Sequence, residues 1–222
     1  MLSPVMEDYL KTIYQLGDEK VRTSEIAEHL GVEQPSVTNM LEKLDERGLV
    51  EREKYKGVEL TEEGKTVAVE VVRHHRLIEA YLAEALDYDW SEVHDEADRL
   101  EHHISEEFEE KVVAALDDPE RDPHGAPIPD ADLSPPDETG ETLDMHTEGD
   151  EVVVERVEDD DPEVLRYLDE HGVVPSAKVK VIEVAPFGMV TVRVGDEDDA
   201  EEVALPDEVA RCVVVGSARK PA

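Results

Sequence analysis

TSEIAEHLGVEQPSVTNMLEKLDERGLV, residues 23–50, is the stretch that decides the fold. Apolar residues recur at helical spacing on both sides of Gly31: Ile26 and Leu30 before it, then Val37, Met40, Leu41 and Leu44 after it. Thr23 or Ser24 caps a short helix, about 24–30, that Gly31 stops. Pro35 opens a second helix that ends at Gly48. Small Ala27 lets the two helices approach, and Ile26, Leu30, Val37 and Leu41 supply the core between them. This is a helix-turn-helix pattern, in which the N-terminal side chains of the second helix enter a DNA major groove. Those residues are Gln34, Pro35, Ser36, Thr38 and Asn39, short polar groups suited to base edges and phosphates, with Lys43 a turn further on. The competing reading is an ordinary three-helix packing unit with no ligand.

Working outward, Ser3-Pro4 reads as a cap and first helical position, followed by Leu10, Ile13, Tyr14 and Leu16 at helical spacing up to Gly17. Two short strands, about 49–54 and 57–60, form a wing that brings Lys54 and Lys56 near the phosphate backbone. Thr61 caps a long helix to Leu86, Ser91 caps the next, and Ser105 begins a short one ending near Leu116. Residues 117–150, rich in proline, glycine and aspartate, read as loop and linker. Beyond them, β-branched runs at 152–157, 179–184, 190–194, 202–205 and 212–215 are separated by turn residues and one helical segment, about 162–171, which suggests a small β-barrel. Cys212 reads as a small buried hydrophobe in the last of these strands. The expected fold is mainly α with a small β domain. The divisions are a winged helix-turn-helix at 1–64, a helical domain at 65–130, a linker at 131–149 and the β domain at 150–222.

Charge sets a constraint. The 222 residues hold 59 Asp and Glu against 22 Lys and Arg, a formal charge of −37. Such acidity opposes phosphate contacts. Yet residues 20–58 carry seven basic residues against eight acidic ones, so the deficit avoids the helix-turn-helix and its wing. Acids spread over the whole chain fit solubility in a salty cytoplasm, where repulsion is screened to a few ångströms. The single cysteine excludes an intrachain disulfide, and apolar runs of about five residues are too short for a membrane span. The N-terminus shows no signal peptide, so the expected location is cytoplasmic, with no membrane partner.

His75 and Glu79 stand at i, i+4 on one helix. His94, Asp98, Glu101 and His102 fall at i, i+4, i+7 and i+8 on the next, a stripe of groups that ligate divalent metals. Asp8 lies on the first helix, one turn before Lys11. Carboxylate and imidazole without thiolate suits Mn(II), Fe(II), Co(II) or Zn(II) rather than Cu(I). The bland competitor is a solvated face paired with Arg73, Arg76 and Arg99.

Together MEDYLKTIYQL (6–16), the helix-turn-helix 23–50, EKYKGVELTEEG (53–64), RHHRLIEAYL (73–82), VHDEADRLEHHIS (93–105) and RDPHGAPIP (121–129) resemble the diphtheria toxin repressor and manganese transport regulator family over about residues 3–130. The C-terminal region looks like the SH3-like domain of the family's longer, iron-regulator branch. The resemblance implies a homodimeric, metal-activated transcriptional repressor of metal-uptake genes, bound to a roughly palindromic double-stranded operator, with Mn(II) or Fe(II) as activating metal. It implies a primary site of Asp8, Asp98, Glu101 and His102. It implies an ancillary site of His75, Glu79 and His94, completed by Asp160 and Glu163 from the SH3-like domain. One departure stands out: the manganese regulators place a glutamate ligand where this chain has Lys11. A winged-helix regulator that senses no metal is the alternative, an activator a variant of it. A metalloenzyme is a more remote one, since the chain lacks a His-Glu-x-x-His pair, di-iron Glu-x-x-His motifs and a nucleophile elbow.

Overall fold

The computed structural model describes residues 2–17, 20–53, 56–137, 139–158, 161–186, 188–195 and 200–217. It divides into two compact units: 1–75 with 99–106 and 129–136, and 76–98 with 107–128 and 137–222.

The first unit opens with α1 (Pro4–Gln15), α2 (Thr23–His29) and α3 (Gln34–Glu46), then β1 (Val50–Glu53) and β2 (Gly57–Leu60). Pro4 starts α1 because its fixed φ suits the first turn and its missing N–H is not needed there. Leu10 and Ile13 of α1 pack with Ile26, Val37, Leu41 and Leu44, all fully or nearly fully buried. Each such side chain contributes about 1.5–3 kcal/mol by leaving water. Gly31 turns between α2 and α3 at φ +61°, a left-handed backbone that glycine adopts without steric cost.

The wing pairs Val50 with Leu60 through to Glu53 with Gly57, and Val21 adds a bridge to Val58. Lys54, at its tip, lies outside the described residues. Thr61 fastens the wing to α4 (Glu62–Leu86): its hydroxyl donates to the Gly48 carbonyl at 2.7 Å and accepts the Gly64 N–H at 3.1 Å. A Cβ on Gly64 would fall 1.9 Å from the Leu49 carbonyl oxygen, so only glycine lets α4 start this close to the wing.

Helix α4 runs on into the second unit, where Leu77 and Ala80 pack with Val112 of α6 (Glu106–Ala115) and with Ile128. Between them lies α5 (Val93–Leu100). The helix ends at Leu100, so Glu101 and His102 sit in the turn after it rather than on the continuous helical stripe expected from their spacing.

The rest of the second unit is a six-stranded antiparallel sheet in the order β3-β8-β4-β5-β6-β7, with β3 (Glu141–Thr142), β4 (Glu151–Val157), β5 (Lys178–Ala185), β6 (Met189–Val194), β7 (Glu201–Pro206) and β8 (Val213–Ser217). Among the described residues β3 and β7 are unpaired edges, so the expected barrel does not close. Bulges at Val154/Arg156 and Val181/Glu183 bend the sheet, and its alternating valines share a core with Leu165 and Leu168 of α7 (Pro162–Glu170). The sequence reading missed β3, only two residues long, and α8 (Asp207–Cys212), a short helix. Cys212 therefore ends a helix instead of filling a strand; it is half-buried and its thiol donates to the Glu208 carbonyl.

Candidate metal centre and nucleic-acid interface

In the first unit, Asp8 on α1 meets Glu101 and His102 from the turn after α5, with one ligand-type atom of each within 4.8 Å of the others. His102 Nε2 lies 2.8 Å from Asp8 Oδ1 and 3.3 Å from Glu101 Oε1. His102 Nδ1 lies 2.7 Å from Glu7 Oε2. Glu7 accepts only, so it holds Nδ1 as the N–H side and turns Nε2 toward the two carboxylates. Sequence reasoning passed over Glu7, although its position beside Asp8 on α1 was the available signal. Burial pushes the Asp8 carboxyl above its ordinary value, against the opposing pull of His102.

Lys11 is the unexpected member. Its side chain is buried, with Nζ 2.8 Å from Glu101 Oε2 and 3.1 Å from His75 Nδ1. His75 Nδ1 is itself 2.6 Å from that carboxylate oxygen. Burial pushes Glu101 up, but the His75 hydrogen bond and the Lys11 and His75 charges outweigh it and hold its carboxyl below the ordinary value. Lys11 thus places a fixed cation beside the carboxylate of Glu101.

Two oxygen donors and one imidazole converge without sulfur, a set that fits a hard or borderline divalent cation. The observation that tests the fit is the shared approach of Asp8 and Glu101, two carboxylates, to one side of His102: like charges so placed call for a cation between them.

The second unit holds the remaining expected ligands. His94 Nδ1 is 3.2 Å from Glu79 Oε1, and Asp98, half-exposed, lies 3.6 Å from His94 Nε2. Glu79 is 2% exposed and has further neighbours that the spacing did not reveal: Asp122 and His124, both buried, with ligand-type atoms of the three within 4.8 Å. Both belong to the stretch read as loop and linker. Burial and the Glu79 charge push Asp122 up to about 6. His124 is held above its ordinary value: burial lowers it, but the hydrogen bond and charge of Glu79 outweigh that. Glu163 sits exposed in the first turn of α7, where Asp161 caps its N–H, and it joins no ligand-type group among the described residues. Asp160 lies outside the described residues.

The first unit also holds a cleft lined by residues that include Arg22, Thr23, Ser24, Gln34, Thr38, Arg52 and Lys56. Gln34, Pro35, Ser36, Asn39 and Lys43 are exposed on α3. Thr38 is half-buried and its hydroxyl donates to the Gln34 carbonyl. Lys56 pairs with Glu53 at 2.5 Å. Arg22, Thr23, Ser24 and Arg52 were not picked out from the sequence. Hydroxyls at the start of α2 and an arginine on the first wing strand were the signals.

Comparisons with known proteins agree with this arrangement. Family profiles match in order: the iron-dependent repressor N-terminal DNA-binding domain over residues 1–58, the iron-dependent repressor metal-binding and dimerisation domain over 61–130, and the FeoA domain over 141–216. The iron-dependent repressor IdeR of Mycobacterium tuberculosis is 35% identical, over 94% of this chain and 95% of its own. The diphtheria toxin repressor of Corynebacterium glutamicum is 41% identical over 55% of each. Among solved structures, a manganese-dependent transcriptional repressor in complex with manganese superposes with a TM-score of 0.88 at 38% identity, covering 96% of this chain and 99% of that one. ScaR with bound Cd2+ does so with a TM-score of 0.82 at 32% identity, covering 96% and 99%. These relatives are transcriptional repressors rather than enzymes. With its DNA-binding, metal-binding and dimerisation, and FeoA modules in this order, the chain belongs to the iron-dependent repressor family.

Proposed function

We propose that this protein is a metal-sensing, DNA-binding repressor that takes Mn(II) or Fe(II) and acts as a homodimer on a roughly palindromic operator controlling metal uptake. One observation carries the reading. Asp8 belongs to the first helix of the DNA-binding module, whereas Glu101 and His102 come from the turn after α5, and the three converge. These residues would hold the cation, which supplies Lewis-acid charge where carboxylates face each other. Glu7 and Lys11 orient and neutralise the groups around it. Asp98 belongs to the proposed ligand set through its donor type and spacing in the sequence and through the resemblance. Joining α1 to the 101–102 turn favours one placement of the DNA-binding module among many, and a ligand that binds one conformation better shifts the population toward it.

Gln34, Ser36, Thr38 and Asn39 read base edges, while Lys43 and the wing residues Lys54 and Lys56 meet phosphates. Exposed Tyr88 and Phe108 offer apolar surface to a second copy. No helix among the described residues is long and apolar enough to cross a membrane. Binding to operator DNA calls for a cytoplasmic protein.

The test is operator affinity, on DNA selected from a random pool with Mn(II) present, measured in chelator and again with Mn(II) or Fe(II). Wild type gains affinity with metal, and Asp98→Ala or His102→Ala loses the gain. Equal affinity of the wild type with and without metal defeats the reading.

A further inference from the structure

We propose that the DNA-reading face carries its own counterions, so that operator binding takes up solvent cations where an ordinary basic interface releases them. This rests on the DNA-binding reading and is independent of which metal is sensed.

Three cations line the cleft beside Gln34 and Thr38: Arg22 just before α2, Arg52 on β1 and Lys56 just before β2. Each is held by a carboxylate. Arg22 Nη2 donates to Glu25 Oε1 at 2.5 Å, and the Arg22 backbone N–H donates to Glu25 Oε2 at 2.7 Å. Arg52 Nη1 stands 3.5 Å from Glu42 Oε1, and Lys56 Nζ stands 2.5 Å from Glu53 Oε1. Glu53 also pairs with Lys20, whose second partner is Glu59 at 3.2 Å. Lys43, exposed on α3, makes no ion pair among the described residues.

These carboxylates are ionised where DNA is bound. The Arg22 side chain, then its backbone, holds the Glu25 carboxyl below its ordinary value, and Lys20, then Lys56, does so for Glu53. Exposed pairs of this kind add little to stability, because water and salt screen them. Their effect on DNA binding is separate, since it depends on the charge present and not on the strength of each pair. Arg22, Arg52 and Lys56 against Glu25, Glu42 and Glu53 leave the patch without net charge.

A lysine or arginine with no partner that reaches a phosphate expels the cation condensed there, and affinity then falls with about the 0.9 power of salt for each contact. A cation already held by a carboxylate expels the same ion but leaves its carboxylate beside the phosphates. Two like charges at one place favour a cation between them, so a potassium or sodium ion enters from solvent. Release and uptake cancel. The chain's formal charge of −37 adds a repulsion from DNA that salt screens, which tips the exchange further toward uptake.

The test is operator affinity of the full-length protein at saturating Mn(II), from about 0.1 to about 1 M KCl. Wild type is compared with Glu25→Gln/Glu42→Gln/Glu53→Gln and with Glu202→Gln, which breaks a similar exposed pair with Arg193 in the FeoA domain. Wild-type affinity is expected to change little with salt. The triple variant steepens the slope of log affinity against log salt by about 0.9 for each carboxylate removed, about 5 over two half-sites, and binds more tightly at low salt. Glu202→Gln follows wild type. Each single variant carries about a third of the change and serves if the triple does not fold. Tetramethylammonium, too bulky to sit between carboxylate and phosphate, weakens wild-type binding when it replaces potassium and leaves the triple variant unaffected. The proposal is overturned if wild type loses affinity with salt as steeply as the triple variant, which leaves the DNA-binding reading intact. It is overturned equally if tetramethylammonium affects both proteins alike. A wild type that binds no DNA at any salt overturns both readings.

Discussion

Replacing Lys11 by methionine isolates what a fixed cation does beside a sensing site. Lys11 is 7% exposed and Glu101 2% exposed, and their charged atoms are 2.8 Å apart. At an effective dielectric of 20 the attraction is about 6 kcal/mol, part of which is offset by the water each group gives up. Removing one partner of a buried pair costs about 3–5 kcal/mol when the other is left alone; Glu101 keeps His75 at 2.6 Å, which puts the cost at the low end of that range. Methionine keeps most of the volume, so the loss is electrostatic rather than a cavity. In chelator, urea unfolding of Lys11→Met is expected to show about 3 kcal/mol less stability than wild type. With saturating Mn(II) the deficit shrinks to about 1 kcal/mol, because the ion supplies the charge Glu101 lost.

The pH dependence follows with its sign. Glu101 is held below its ordinary value, so its contribution is present above the unfolded carboxyl range and lost as pH falls through the folded value. In the variant that loss begins closer to neutral. A deficit under about 1 kcal/mol in chelator, or an equal deficit in chelator and Mn(II), refutes this account of Lys11.

The other predictions concern separate parts of the molecule. Asp122 is pushed from 3.8 to about 6, so its neutral form stabilises the metal-free fold below pH 3.8, and this is lost as pH rises through about 6. The shift amounts to about 3 kcal/mol; thermal melts at pH 4 and pH 6 should show Asp122→Asn with a correspondingly flatter slope than wild type, and an unchanged slope refutes it. Gln34→Ala should weaken operator binding by about 1–3 kcal/mol in a titration monitored by fluorescence anisotropy, while unfolding stability stays within about 0.5 kcal/mol. Gly64→Ala should cost about 1–3 kcal/mol or more in urea unfolding, because its Cβ has backbone and not a yielding side chain in its way.

The helix-turn-helix was legible because its determinants are local. Ile26, Val37 and Leu41 bury at the spacing that the helical period demands, and Gly31 takes the backbone that ends one helix and starts the next. Pro4, Thr61 and the alternating valines of β6 marked their elements in the same way. Asp8, Glu101 and His102 were legible as ligand types, but their convergence involves residues more than ninety positions apart, which no local period encodes.

Sequence by itself therefore determined the order of modules, the reading helix and the chemical kind of metal ligand, because helical period, capping and donor type are written residue by residue. Tertiary structure alone decided that Lys11 sits buried against Glu101 and His75, that Glu7 orients His102, and that Asp122 and His124 close on Glu79. The physical reason is the same in each case. A charged or imidazole side chain on the surface is unremarkable, and only burial among particular partners makes it expensive enough to carry meaning. Burial depends on how distant segments pack, and a stretch with the composition of a linker can lie at the centre of that packing.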